Sequence, residues 1–208
     1  MKKIFKGLMR SGNFTTDRLA AFSDGVFAIV ITLLVLELRI PEVEGPHVSE
    51  EIKQGLLKLL PKFISFVVSF VYISIYWVNH HQLFDLLKKS DRGLFWLNSL
   101  FLMFLTFIPF PTALIGSYPR EAVAVIFYGL AMFATAVSFV VMKAYIFYVG
   151  RLADPDKAPQ LELFYLISGP ALYLLAAALA LVNTQFAIAI YLLIPVVYFF
   201  AGKDLIKE

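Results

Sequence analysis

Long charge-free stretches alternate along the chain with short charged clusters. Residues 63–84 form one such window, between Lys62 and Asp85. Residues 93–119 form a second, between Arg92 and Arg120, and 122–142 a third, between Glu121 and Lys143. The run 163–202 has twice the length of one crossing, since about 20 residues span a bilayer core. Its polar cluster, Asn183-Thr184-Gln185, falls at the middle and predicts a tight hairpin of two helices. A charge at the bilayer centre is costly, so these windows predict five spans.

A sixth is predicted at the front, where Phe22 to Leu38 is apolar except for Ser23, Asp24, Thr32 and Glu37. Thr15 or Thr16 is placed to cap its start, Asp17 suits the positive end of its dipole, and Pro41 stops it. The second helix is expected to begin before its charge-free core. Ile52, Leu56, Leu57, Leu59 and Leu60 recur at helical spacing there, and Pro61 is a candidate kink. The expected fold class is an all-α membrane protein with six transmembrane helices, at about 16–39, 51–84, 92–115, 120–147, 160–182 and 185–202. They form one domain over 15–202, with a basic segment at 1–14 and a short tail at 203–208. The front is read as a surface-lying amphipathic segment and not a secretory signal. The apolar stretch after it is too long, and no small-residue cleavage site follows.

Composition excludes the soluble alternative. Of 208 residues, 60% are hydrophobic and 16% charged, where about 45–50% and about 25% are usual. A globule of this size has too little interior for so much apolar surface. Twenty-one Phe, ten Tyr and two Trp suit lipid contact and interfacial belts. With no Cys there is no disulfide, thiolate metal site or thiol nucleophile. A net charge of +3 is too slight to imply a nucleic-acid partner. The charge is also sided. With the N-terminus inside, thirteen of the eighteen Lys and Arg fall on cytoplasmic segments, so both termini are predicted cytoplasmic. The first outer loop carries Glu42, Glu44, Glu50 and Glu51, which makes the outer mouth acidic.

Polar groups inside spans are candidates for function. On a helical wheel with Ile29 at the origin, Leu33 and Leu36 lie about 40° and about 20° to either side, with Thr32 at about 60°. Asp24 lies about 140° away, which turns it from this stripe towards the subunit's own bundle. Periodicity alone leaves the stripe as lipid or helix contact, and a lone Thr usually bonds the carbonyl one turn back. Asp24 reads equally as an ion pair or a hydrogen bond that pins the bundle. The second helix ends in Trp77-Val78-Asn79-His80-His81-Gln82, with Asp85 one turn after His81. Two ligands at that spacing are short of the three or four that a metal needs, and His47 lies in the outer loop. No phosphate loop, nucleophile elbow or H-E-x-x-H is present, so no enzyme and no cofactor are expected.

Arg18-Leu19-Ala20-Ala21-Phe22-Ser23-Asp24 resembles the R-x-x-x-F-S-D signature that opens the first helix of the transmembrane protein 175 family. The continuation Gly25 to Glu37 is similar to that helix, as is Trp77-Val78-Asn79-His80-His81 to the end of the second. Trp96, Asn98 and Pro109-Phe110-Pro111-Thr112 resemble the third. The resemblance implies a potassium-favouring channel of the prokaryotic, single-repeat kind. Such a channel is a homotetramer in the cell membrane, with the first helices of four subunits lining a central pore. It places the main constriction at Ile29, with Leu33 and Leu36 as further apolar rings, and puts Thr32 in a hydroxyl layer that selects potassium over sodium. It also implies a buried polar network of Arg18, Phe22, Ser23, Asp24, one of His80 and His81, and Trp96. The partners implied are permeant potassium, lipid and further copies of the chain.

Such a pore would gate and select by hydration. Stacked Ile and Leu rings make a neck that closes by dewetting, and an ion crossing it sheds part of its hydration. The four outer Glu of each subunit would concentrate cations and repel anions. The competing reading is a proton leak channel or proton-coupled transporter that uses Asp24 and the paired histidines.

Overall fold

The computed structural model describes residues 15–40, 47–154 and 163–201, with the side chains of 163–166 and 199–201 outside the description. Glu42 and Glu44, the basic segment 1–14 and the tail 203–208 therefore lie outside the described residues. Those described are helical apart from short connections, with one isolated antiparallel bridge between Leu87 and Ala153.

Helix α1, Thr16–Leu33, tightens into a 3-10 turn at Leu34–Glu37. Thr15 stands at its N-cap in an extended conformation, and its carbonyl, not its hydroxyl, accepts the first amides. An amphipathic helix α2, Val48–Lys58, with no buried residue, runs almost directly into α3, Leu60–Asp85. The break at Leu59 precedes Pro61, whose ring has no amide proton and clashes with the carbonyl one turn back. What the pattern predicted as one second helix is thus two, parted before the proline. The same physics divides the third span. Helix α4, Arg92–Phe107, stops where Pro109 and Pro111 cannot donate, and α5, Pro109–Ser117, continues after Ile108. Helix α6, Ala122–Ala144, ends in a π turn at Tyr145–Val149. The hairpin α7, Leu163–Leu179, and α8, Thr184–Ala201, turns at Asn183, whose side-chain oxygen accepts the amides of Gln185 and Phe186.

Among the described residues four helical stretches are long and apolar enough to cross a membrane: Thr16–Glu37, Leu60–Asp85, Arg92–Ser117 and Ala122–Val149. Ile167–Leu179 and Thr184–Tyr198 are apolar but shorter. Helix α6 lies at the centre, against α4, α5, α7 and α8, and α3 packs on α5 and α8. Helix α1 is held mainly by α3 and α4, along one side. Burial follows this arrangement: in an apolar 18-residue stretch of each span, 28% is buried in α1 and 17% in α3, against 50% in α4–α5 and 44% in α6. Two neighbouring helices thus keep faces that their own chain does not cover.

Packing among α6, α7 and α8 is close enough to need a glycine. A side-chain carbon at Gly129 would fall on the Tyr191 hydroxyl and 2.9 Å from Ala177. That hydroxyl donates to the Val125 carbonyl at 3.2 Å, so it is not free to retreat. Gly129→Ala is expected to cost about 1–3 kcal/mol by overpacking. A thermal-shift series read by size exclusion in detergent checks this, and an unchanged midpoint would show that the three helices are loosely packed.

Candidate functional site: the uncovered face of the first helix

The side of α1 that meets its own bundle is set by Leu19, Ser23, Phe27, Val30 and Leu34, all buried. Their spacing of three or four residues makes one face, centred about 120° from Ile29 on the wheel. The opposite half is bare. Ile29 is 60% exposed, Leu36 67% and Leu33 41%, and Thr32 is exposed with them. Gly25 has no atom within 4 Å of where a side-chain carbon would sit.

Thr32 is oriented by the helix itself. Its hydroxyl donates back to the carbonyls of Ile29, at 2.8 Å, and Ala28, at 3.1 Å. A hydroxyl that spends its proton on the backbone keeps its lone pairs for whatever faces it, so Thr32 presents an acceptor and not a donor.

The azimuth of α1 is fixed by a buried hydrogen-bonded chain. Ser23 Oγ donates to the Leu19 carbonyl at 2.8 Å and accepts Asn98 Nδ2 at 2.9 Å. Asn98 Oδ1 in turn pairs with His80 Nε2 at 2.9 Å. An amide oxygen only accepts, so that ring nitrogen carries the proton. All three side chains are fully or almost fully buried. The His80 ring is enclosed by Phe27, edge-on, and by Phe84 and Phe101, stacked. Asn98 joins α1 to α3 and belongs to this network although it is absent from the expected set of polar residues. Its signal was present, a lone amide inside the apolar window 93–119.

Asp24 is elsewhere. It is exposed and accepts a hydrogen bond from Trp77 Nε1 at 2.9 Å. Asp24 thus pins α1 to α3 of its own bundle from an exposed flank, and its partner in that bond is Trp77 in place of the expected histidine. It lies about 100° beyond the centre of the buried face, because the wheel gives angles between residues but not which of them face inward. His81 stacks on the same Trp77 and lies 3.7 Å from Asp85, both of them exposed. Arg18, Phe22 and Trp96 join neither set among the described residues. Phe22 and Trp96 are 54% and 69% exposed, and Trp96 makes a T-shaped contact with Phe95. Among the described residues no three His, Asp or Glu gather in a way that could hold a metal. Of the four Glu expected at the outer mouth, Glu50 lies 4.0 Å from Lys53, and Glu51 is half-buried in α2.

Long apolar helices with buried, satisfied polar links define an integral membrane protein. Comparison with known proteins is specific. Residues 18–109 match the family model described as endosomal/lysosomal potassium channel TMEM175. A protein named potassium channel from Chamaesiphon minutus is 38% identical over 88% of this chain and 93% of its own. The crystal structure of a lysosomal potassium-selective channel TMEM175 homolog from the same organism superposes with a TM-score of 0.73 at 32% identity. It covers 89% of this chain and 97% of that one. The human endosomal/lysosomal proton channel TMEM175 is 34% identical over 50% of this chain, but over 22% of its own length. The chain belongs to the TMEM175 family.

The central link offers a direct test of what holds α1. Asn98→Leu strands the His80 donor inside an aromatic cage, at a cost of about 1–3 kcal/mol. A lowered detergent melting point and a smaller assembled fraction on size exclusion are expected. An unchanged midpoint would show that the bridge is dispensable.

Proposed function

We propose that the chain is a potassium-favouring cation channel in which four copies surround a pore lined by their first helices. The observation that carries this reading is the bare stripe of Ile29, Thr32, Leu33 and Leu36, on the side of α1 opposite the face that packs. Support also comes from the half-bare α3 beside it and from the names that the Chamaesiphon relatives bear. Exposed Asp24 and Gly25 on the same helix fit contact with a neighbouring copy better than contact with lipid, where a carboxylate is costly. Arg18, Phe22 and Trp96, all at the surface, are then available for contact between subunits.

In this reading six helices cross the membrane and both termini are cytoplasmic, in the cell membrane of a prokaryote. The lining domain is 15–202, flanked by the basic segment 1–14 and the tail 203–208. Ile29 makes the tightest ring, and Leu33 and Leu36 extend an apolar neck that water leaves readily. Potassium loses less than sodium by shedding part of its shell there, being more weakly hydrated. The Thr32 oxygens, with lone pairs turned outwards, replace some of the lost water. Glu42, Glu44, Glu50 and Glu51 of each copy raise the cation concentration at the mouth. The Ser23–Asn98–His80 chain and the Asp24–Trp77 bond brace the helix and do not touch the ion.

A second reading, proton permeation, is favoured by the name of the human relative. It finds less support in the geometry. His80 is bonded to a neutral amide and enclosed by three rings, and the hydrogen bond of Asp24 goes to Trp77 instead.

Potassium flux into liposomes separates the possibilities. Ile29→Asn is expected to raise flux severalfold by wetting the neck, and unchanged flux would remove Ile29 as the constriction. Thr32→Ala should lower the potassium-to-sodium permeability ratio while flux persists. Flux driven by a pH gradient and abolished by His80→Ala or His81→Ala would favour the proton reading instead.

A further inference from the structure

At the end of the bundle that carries Lys88, Lys89 and Arg92, a cavity of about 110 Å³ lies between α3, α6, α7 and α8. Phe139, Tyr76, Tyr173 and Tyr198 supply aromatic walls, and Asn79 and Lys143 supply polar groups. None of these six belongs to the stripe of α1 or to its bracing. Asn79 lies about 160° round α3 from Trp77, and Tyr76 reaches both the cavity and Phe101, the ring on which His80 stacks.

Lys143 is the uncommon feature. It stands within the last turns of a membrane-long apolar helix and is half-buried. Among the described residues no carboxylate lies within ion-pair distance of its ammonium; the salt bridges there are Lys53–Glu50, His81–Asp85 and Lys88–Asp154. A partly desolvated cation is costly without a counter-charge, and the described residues supply none to Lys143. The Asn79 amide donates one proton to the Ile75 carbonyl at 2.8 Å and keeps a second to offer. In α7, Pro170 lines the cavity next to Gly169, where a side-chain carbon would approach the Tyr198 hydroxyl to 2.6 Å. The glycine thus lets the Tyr198 hydroxyl pack against the α7 backbone at the cavity wall.

Size narrows the occupant. Drug-sized ligands fill about 300–1,000 Å³, so this space takes a headgroup and the first carbons of a chain, and a longer tail must leave through its open side into lipid. We propose that the cavity binds the anionic head of a long-chain amphiphile, a fatty carboxylate or an anionic phospholipid. Lys143 is the counter-charge and Asn79 a hydrogen-bond donor. The aromatic walls take the first methylenes. The site stands whether or not α1 lines a pore.

The test uses the purified full chain in detergent and a diazirine-bearing palmitate as probe, with labelled peptides mapped by mass spectrometry. Label is expected on Tyr76, Phe139 or Tyr173. Lys143→Gln should reduce it about ten-fold, as loss of a charged hydrogen bond implies, and Lys143→Arg should restore it. In the wild-type chain, oleate or phosphatidylglycerol should compete, and the stronger competitor identifies the source of the head. Oleyl alcohol and phosphatidylcholine should not compete. Equal competition by oleyl alcohol, or undiminished labelling of a normally assembled Lys143→Gln variant, would overturn the proposal and leave ordinary lipid contact. Should that variant misassemble, the competition in the wild-type chain decides alone.

Discussion

The hydrogen-bonded chain from the Leu19 carbonyl through Ser23 and Asn98 to His80 determines which half of α1 faces its own bundle. Inside a membrane these groups have no water to fall back on, so each must find a partner in the protein. Three helices are tied at one point as a result, and the azimuth of α1 about its axis is set there. Phe27 packs against the His80 ring, and Val30 and Leu34 continue the same buried face. Once that face is fixed, 3.6-residue periodicity leaves Ile29, Thr32, Leu33 and Leu36 on the other side. The exposed stripe is therefore a consequence of the polar bridge, whose own members stay buried.

Much of this was legible in the chain. Charge-free windows locate apolar helices because the bilayer charges heavily for ions, and the polar triplet at Asn183 marks a turn because its amide can cap the helix that follows. The grouping of Ile29, Thr32, Leu33 and Leu36 followed from spacing alone. Other features needed three dimensions. The wheel measures angles between residues but has no origin, so it put Asp24 away from the stripe without revealing that it sits on a flank, beside Trp77. Asn98 was visible only as one amide in an apolar run; that it links Ser23 to His80 depends on how α4 lies against α1 and α3. The breaks at Leu59 and Ile108 follow local proline chemistry, whereas the π turn after α6 has no comparable signal.

Charge and aromatic groups have separate duties across the fold. Asp91 caps α4 through the Leu94 amide and also accepts the Tyr145 hydroxyl, and Lys88 pairs with Asp154, so one end of the bundle is clasped by polar contacts. Buried hydroxyls elsewhere satisfy one another, as Thr112, Ser69 and Tyr128 do between α5, α3 and α6. Among the described residues Lys143 has no ion-pair partner, and that is what singles out its cavity.

The central claim concerns which side of α1 faces the permeating ion, and cysteine accessibility tests it most directly. The chain has no cysteine of its own, so every introduced thiol is the sole target. Single variants Ile29→Cys, Thr32→Cys, Leu33→Cys and Leu36→Cys, and the buried-face controls Val30→Cys and Leu34→Cys, are reconstituted and exposed to silver ions while potassium current is recorded. The account predicts block at the four stripe positions and none at the two controls. Block at Val30→Cys or Leu34→Cys with the stripe variants unaffected would contradict it.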